Sequence, residues 1–306
     1  MPAKLSIHVP TQAVTIRVLA DGDDVIVGRA PDCDCVLAHD SVSRRHARIR
    51  RSHEGGWSIE DLGSKNGIRV DGNRVTDAML APHQWLAIGD VFCEFERVEP
   101  DAVQHLNARA AQRRHSSQLW IDRIATSKDN VDGLMDTLLR GIVDIAECRR
   151  GFLLVTDSNG QMRMRARQDI DSTNFNDRRF SGSRSAIERS IAECRAVYLS
   201  GGQDHDGLLE KASVLAHGIR ALACLPLLHE TRLLGVVYAD TTHDAKIFTD
   251  LDAELLEAFA DRGAATLATF ELHKKLNEIE LSMQDSKPEL LNWSELAQAD
   301  PRAKRG

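Results

Sequence analysis

Residues 28–67, GRAPDCDCVLAHDSVSRRHARIRRSHEGGWSIEDLGSKNG, hold three polar clusters: Gly28-Arg29, Ser43-Arg44-Arg45-His46 and Gly63-Ser64-Lys65-Asn66-Gly67. Short runs of strand-like residues flank them, Val25 to Val27, Ala47 to Arg51 and Trp57 to Glu60. Such runs, broken by Gly, Asp and Asn, have the rhythm of an all-β sandwich, so the polar clusters fall in loops at strand ends. Working outward, Val14 to Leu19 and Val91 to Glu96 carry the same rhythm from Leu5 to Arg97. Asp71-Gly72, between Val70 and Asn73, is a two-residue hairpin signal, because both residues accept the positive φ of a type I′ turn.

A Gly-Arg, then a Ser-x-x-His, then an Asn-Gly preceded by Ser or Thr is the order that marks the forkhead-associated (FHA) domain, and residues 5 to 97 resemble it. A phosphothreonine carries nearly two negative charges and three acceptor oxygens, so its capture calls for a forked guanidinium with hydroxyl and backbone donors on a rigid frame. The resemblance implies that Arg29 and Ser43 contact the phosphate and that Arg44 or its backbone assists. It puts Ser64 and Lys65 beside the phosphate, Lys65 where the family often has Thr, and Asn66 on the peptide main chain. Lys65 either strengthens the phosphate contact or displaces it. His46 is expected to brace the loop presenting Ser43, and Gly28 and Gly67 to allow backbone that a Cβ would obstruct. Arg45, Arg48 and Arg51 read as a solvated face, His39, His53 and His83 as surface histidines, and Trp57 and Trp85 as core.

After Arg97 the pattern changes. Residues 98–117 carry Pro100, weak apolar periodicity and mixed charge, the marks of a linker that turns helical near its end. Met135, Leu138, Leu139, Ile142 and Ile145 then recur at helical spacing, followed by strand-like Phe152 to Thr156, a turn at Ser158-Asn159-Gly160, and Met162 to Arg167. Ala221 to Leu228 and Leu233 to Asp240 read as a hairpin. Thr249 and Asp252 form a capping-box pattern opening a helix from about Leu251 to about Ile279, which at ~1.5 Å per residue is some 40 Å long and outreaches its domain.

IRALACLPL (219–227), LLGVVYAD (233–240) and FTDLDAELL (248–256) resemble the GAF domain, a six-stranded antiparallel sheet with helices that often encloses a small ligand. The resemblance makes the segment 169–216 the lid of a pocket. Arg178, Arg179 and Arg184 within it are read as solvent-facing, and Cys194 and Cys224 as buried or half-buried packing residues.

The expected fold is thus multidomain: an all-β FHA-like sandwich (1–97), a linker (98–117), an α+β GAF-like domain with a central antiparallel sheet and long flanking helices (118–280), and a flexible tail (281–306). A net charge of -7 over 306 residues opposes non-specific binding to nucleic acid or an anionic membrane. The six cysteines are scattered, Cys33-Asp34-Cys35 lacks metal-site spacing, and no apolar run approaches the ~20 residues of a membrane span. No metal or cofactor is assigned and a cytoplasmic location is expected.

The functional expectation is a non-catalytic signalling adaptor. It binds a protein phosphorylated on threonine by an upstream Ser/Thr kinase, and its GAF-like domain senses a small ligand or forms a homodimer. The alternatives are a constitutive dimeric scaffold with an empty GAF domain, and a GAF-type free methionine sulfoxide reductase.

Overall fold

In a computed structural model the protein is described over residues 1–9, 11–52, 55–126, 131–157, 159–170, 183–200, 218–243 and 246–285. His53, Ser158, most of the expected lid with Arg178 and Arg179, and the tail from 286 lie outside these residues.

The amino-terminal unit is a sandwich of two sheets. One has six strands in the order β2-β1-β11-β10-β7-β8 and the other five in the order β4-β3-β5-β6-β9. The first comprises β1 (Ala3–His8), β2 (Thr15–Leu19), β7 (Ile68–Val70), β8 (Asn73–Val75), β10 (His83–Ile88) and β11 (Val91–Arg97). The second comprises β3 (Asp24–Gly28), β4 (Cys35–Val36), β5 (Ala47–Arg51), β6 (Trp57–Asp61) and β9 (Asp77–Leu80). Alternate residues point inward and close one core around Leu5, Ile49, Trp57, Ile59, Leu86 and Phe95. Asp71 (φ 47°) and Gly72 (φ 82°) make the hairpin turn between β7 and β8. Trp57 is fully buried, but Trp85, expected in the core, is 44% exposed and tilts against His8.

Residues 100–117, expected to turn helical only near their end, are helical from the start: they begin α1 (Pro100–Thr126). Pro100 sits in the first turn, where its missing N–H breaks no helical hydrogen bond. Side-chain anchors hold the helix down, Arg113 on Asp252 (2.7 Å) and Arg114 on Glu254 (2.9 Å).

The second unit follows with α2 (Val131–Ile145), β12 (Arg150–Thr156), β13 (Met162–Gln168), α3 (Arg184–Glu193), β14 (Val197–Leu199), β15 (Ala221–His229), β16 (Arg232–Thr241) and α4 (Asp250–Asp285). Its sheet is antiparallel throughout, in the order β13-β12-β16-β15-β14, so the described residues supply five strands where the GAF resemblance implies six. One face, with Leu153, Ala223, Leu225 and Val237, packs on Leu138 and Ile142 of α2 and Leu256 and Phe259 of α4. The other, with Phe152, Leu154, Cys224, Val236 and Tyr238, meets α3 through Ala186 and Ile187.

At the start of α4 the capping box closes reciprocally: Thr249 N donates to Asp252 Oδ2 (2.7 Å) and Asp252 N to Thr249 Oγ1 (3.4 Å). Asp252, 1% exposed, also takes Lys246 Nζ (3.0 Å), which reaches Glu147 (3.1 Å). A buried ion cluster thereby ties α1, the end of α2 and the start of α4 together. Burial works against the Asp252 carboxylate, but the Arg113 hydrogen bond and the Lys246 charge outweigh it and hold its pKa below the ordinary value.

The two units touch through the β1–β2 loop. Val14 N donates to Phe248 O (2.8 Å), Asp250 N to Val14 O (2.8 Å) and Tyr198 N to Thr11 O (3.2 Å), while Ala13 packs on the second core. β1 runs antiparallel to β11 with His8 beside Phe92, so this loop lies at the sandwich end where β11 begins.

Candidate functional site

At that same end the three polar clusters come together. β3 finishes at Gly28, and Arg29 N then donates to Ser43 O (2.9 Å) while its Nε donates to Val42 O (3.3 Å). An ideal Cβ on Gly28 would sit 2.2 Å from the carbonyl oxygen of Arg44, so only glycine lets the β3 end and the β4–β5 loop lie this close. Ser43 Oγ accepts from Lys65 N (3.0 Å), which fastens the β4–β5 loop to the β6–β7 loop. Asn66 Nδ2 donates to Ser41 O (2.7 Å), and Gly67 N to Ser64 Oγ (2.9 Å).

His46 is wholly buried between these loops. Its Nδ1 accepts from Ser43 N (3.0 Å), so the proton sits on Nε2, which donates to Gly67 O (3.0 Å). One neutral imidazole therefore sets the distance between the segment carrying Ser43 and the segment carrying Asn66. Gly67 has φ +75°, and a Cβ there would press within 2.9 Å of the Arg74 guanidinium.

The charges at this end differ from those on the strands. Arg48 pairs with Asp24, Arg50 with Glu60 (3.6 Å) and Arg51 with Asp21 (2.5 Å). Among the described residues Arg29, Arg44 and Lys65 are exposed and have no carboxylate partner, and Arg45 shares that condition. Unpaired cations on loops that also present a hydroxyl and backbone N–H groups have the chemistry that suits an anion. All nine residues picked from the sequence, Gly28, Arg29, Ser43, Arg44, His46, Ser64, Lys65, Asn66 and Gly67, lie in these loops or at their edges.

Sequence reasoning missed a supporting ring. Ser41 Oγ accepts from Asp90 N (2.8 Å) and meets His39 Nδ1 (2.8 Å), so His39 belongs to the loop framework rather than the general surface. Asp61 Oδ2 accepts from Ser64 N (3.3 Å), a turn that the Asp-x-x-Ser spacing encodes. Arg74, behind Gly67, reaches it on β8, the return strand of the Asp71-Gly72 hairpin that starts just after Gly67.

Comparison with known families agrees with the two-domain fold. Residues 25–93 match the FHA domain and residues 130–267 the GAF domain. The chain carries an FHA domain followed by a GAF domain. It is similar to the FHA domain-containing protein FhaB of Mycolicibacterium smegmatis, 38% identical over 90 residues, covering 27% of this chain and 57% of that one. It is also similar to the glycogen accumulation regulator GarA of the same organism, 42% identical over 74 residues, covering 24% of this chain and 46% of that one. The chain thus spans about half the length of these curated relatives. The solved FHA domain of the CT664 protein from Chlamydia trachomatis aligns over 32% of this chain and all of that one, with 31% identity and a TM-score of 0.31.

The GAF domain presents a different chemistry. The sheet face toward α3 is apolar apart from Tyr238, whose hydroxyl accepts from Ser183 N (3.2 Å), and the Ser183 and Ser190 hydroxyls. Burial pushes the thiols of Cys148 and Cys224 up to about 12, which keeps them protonated at neutral pH. Cys194 is not a packing residue: it caps α3 in the left-handed conformation (φ 50°) with its side chain exposed. Among the described residues no group of His, Cys, Asp and Glu is arranged to hold a metal, and no helix is long and apolar enough to cross a membrane.

Proposed function

We propose that the FHA domain docks proteins phosphorylated on threonine by a Ser/Thr kinase, and that the chain is a signalling adaptor working without catalysis. The observation that carries this reading is the set of exposed, unpaired cations, Arg29, Arg44 and Lys65, on loops tied together at Ser43 by the His46 ring and the Lys65 N–H. Arg29 supplies the fork, Ser43 and the loop amides supply further donors, and Asn66 exchanges its bond to Ser41 O for the peptide main chain. Ser64 shapes the turn that presents Lys65 and Asn66. In the GAF domain the protonated Cys148 and Cys224 thiols tell against a thiol-based reductase. That domain senses a ligand or pairs subunits into a homodimer, with the cytoplasm as the setting.

The test is phosphothreonine-peptide binding by fluorescence anisotropy. A charge-assisted hydrogen bond contributes ~1.5–3 kcal/mol, so Arg29→Ala should weaken binding about tenfold to a hundredfold. Unchanged affinity in a folded variant removes the mechanism. The same pair of proteins used in pulldowns from native lysate identifies the partner.

A further inference from the structure

Beyond Phe270 the carboxy-terminal part of α4 leaves the GAF core, and from Leu272 to Ser282 every side chain is exposed. At ~1.5 Å per residue the overhang from Leu272 to the helix end is about 21 Å long. A helix of that length without tertiary contacts is marginal in water.

The exposed apolar residues are not scattered. Leu272 (58% exposed), Leu276 (47%) and Ile279 (54%) continue the positions of Arg262, Ala265 and Thr269 at alternating spacings of three and four. That is the a/d stripe of a heptad, with a at Arg262, Thr269 and Leu276 and d at Ala265, Leu272 and Ile279. Leu281 lies off it. Closer to the core, the stripe borders a groove of about 430 Å³ between α1 and α4, lined by Ile124, Ala125, Ala265, Thr269, Phe270 and His273 among others. The small Ala265 and Thr269 let another helix approach there.

The flanking charges say which occupant fits. Lys275 falls at g and Glu280 at e, and in a parallel pair g of one helix faces e of its partner five residues on. Two copies of this helix in register therefore set Lys275 against Glu280 on both sides of the stripe. In an antiparallel pair overlapping the same three apolar residues, Lys275 would meet Lys275. On the outer face Lys274 and Glu278 already pair within the helix (4.0 Å), as solvent-facing residues do.

We infer that α4 forms a parallel, in-register coiled coil with a second copy of this chain, seated on the Arg262–Ile279 stripe. This names the geometry of the homodimer reading above and rests on it. Because the FHA domain is hydrogen-bonded to the start of α4 through Val14, parallel pairing turns both phosphate sites toward one end of the dimer. The dimer is then a bivalent reader suited to a partner carrying two phosphothreonines, or to a partner that is itself dimeric.

The experiment uses the full chain in light scattering and sedimentation. The unmodified protein should be a dimer and Leu276→Asp with Ile279→Asp a monomer in which both domains still fold, because both residues are exposed in the single chain. Lys275→Glu should weaken the dimer, and adding Glu280→Lys should restore it. Leu272→Cys, in a Cys194→Ser background, should cross-link to its own copy under mild oxidation, as a parallel pair requires. The monomeric variant should bind a soluble singly phosphorylated peptide as before but leave a surface densely coated with that peptide at least tenfold faster. A dimer that survives the two Asp substitutions overturns the α4 assignment and leaves the homodimer reading standing. A monomeric unmodified chain overturns both, and loss of binding to the soluble peptide is a separate failure that falls on the FHA reading.

Discussion

The recognition end of the FHA domain and the helical base of the GAF domain both gather charge, and they use it in opposite ways. At the FHA end the buried group is a neutral imidazole and the cations stand outside, exposed and unpaired. At the GAF base Asp252 and Lys246 are themselves buried, and their bonds to Arg113 and Glu147 close the set internally. An open set of donors waits for an external anion, whereas a closed one fixes helices. On the function proposed above, unpaired charge supported by a neutral frame marks a binding site better than charge density alone.

The sharpest way to break this comparison is to open the closed set. Asp252→Ala leaves Arg113 and Lys246 without their shared carboxylate and removes half of the α4 capping box. Removing one member of a buried ion pair costs about 3–5 kcal/mol, so the GAF transition in urea should fall by that much. Phosphopeptide affinity at temperatures where both domains are folded should not change. A loss below ~1 kcal/mol would mean that the cluster is not structural.

Acid opens the same set more gently. Since the folded pKa of Asp252 is depressed, its contribution is present above the ordinary carboxylate value of ~3.9 and is lost as pH falls through the folded value. Glu147 is lowered too, burial opposing and Lys246 and Arg113 prevailing, so both act in the same direction. GAF stability should hold from neutral pH to about 5 and drop below ~4, and Asp252→Asn should flatten that limb in urea melts taken across the range. The effect should be smaller than deletion, because a protonated carboxyl still forms hydrogen bonds.

How much of this was readable in advance follows from how local each signal is. The FHA loops are encoded within a few residues: Gly28-Arg29, the Ser43–His46 pair and the Ser64–Gly67 turn each close on themselves or on a neighbouring loop. Trp57 and Trp85 have similar sequence surroundings, but strand phase decides burial. Leu86, opposite Cys93 and Val70, takes the inward phase of β10 and leaves Trp85 outside. The early start of α1 in the 98–117 stretch was not legible because its anchors, Arg113 and Arg114, find Asp252 and Glu254 some 140 residues away. Cys194 failed because a helix cap, not packing, sets its position.

On the open side, Gly28→Ala tests the frame. Its Cβ would overlap the Arg44 carbonyl, and forcing extra atoms into a close approach costs ~1–3 kcal/mol. The FHA melt should fall by that amount and phosphopeptide affinity should fall with it, since the Arg44 carbonyl cannot move without shifting Ser43. A melt shift with intact affinity would separate the frame from the site.

The smallest effect belongs to Lys65, whose backbone and side chain do different work. Its N–H holds Ser43 Oγ, a bond that any residue except proline can make, while its ammonium is exposed. Lys65→Ala should therefore leave the loop in place and remove one solvent-screened charge. Affinity for a phosphothreonine peptide should drop roughly two- to fivefold at low salt, and the difference should shrink at high salt. A larger, salt-independent loss would give Lys65 a direct bond to the phosphate and make it part of the fork with Arg29. A gain in affinity would mean that the lysine crowds the position where the family often carries threonine.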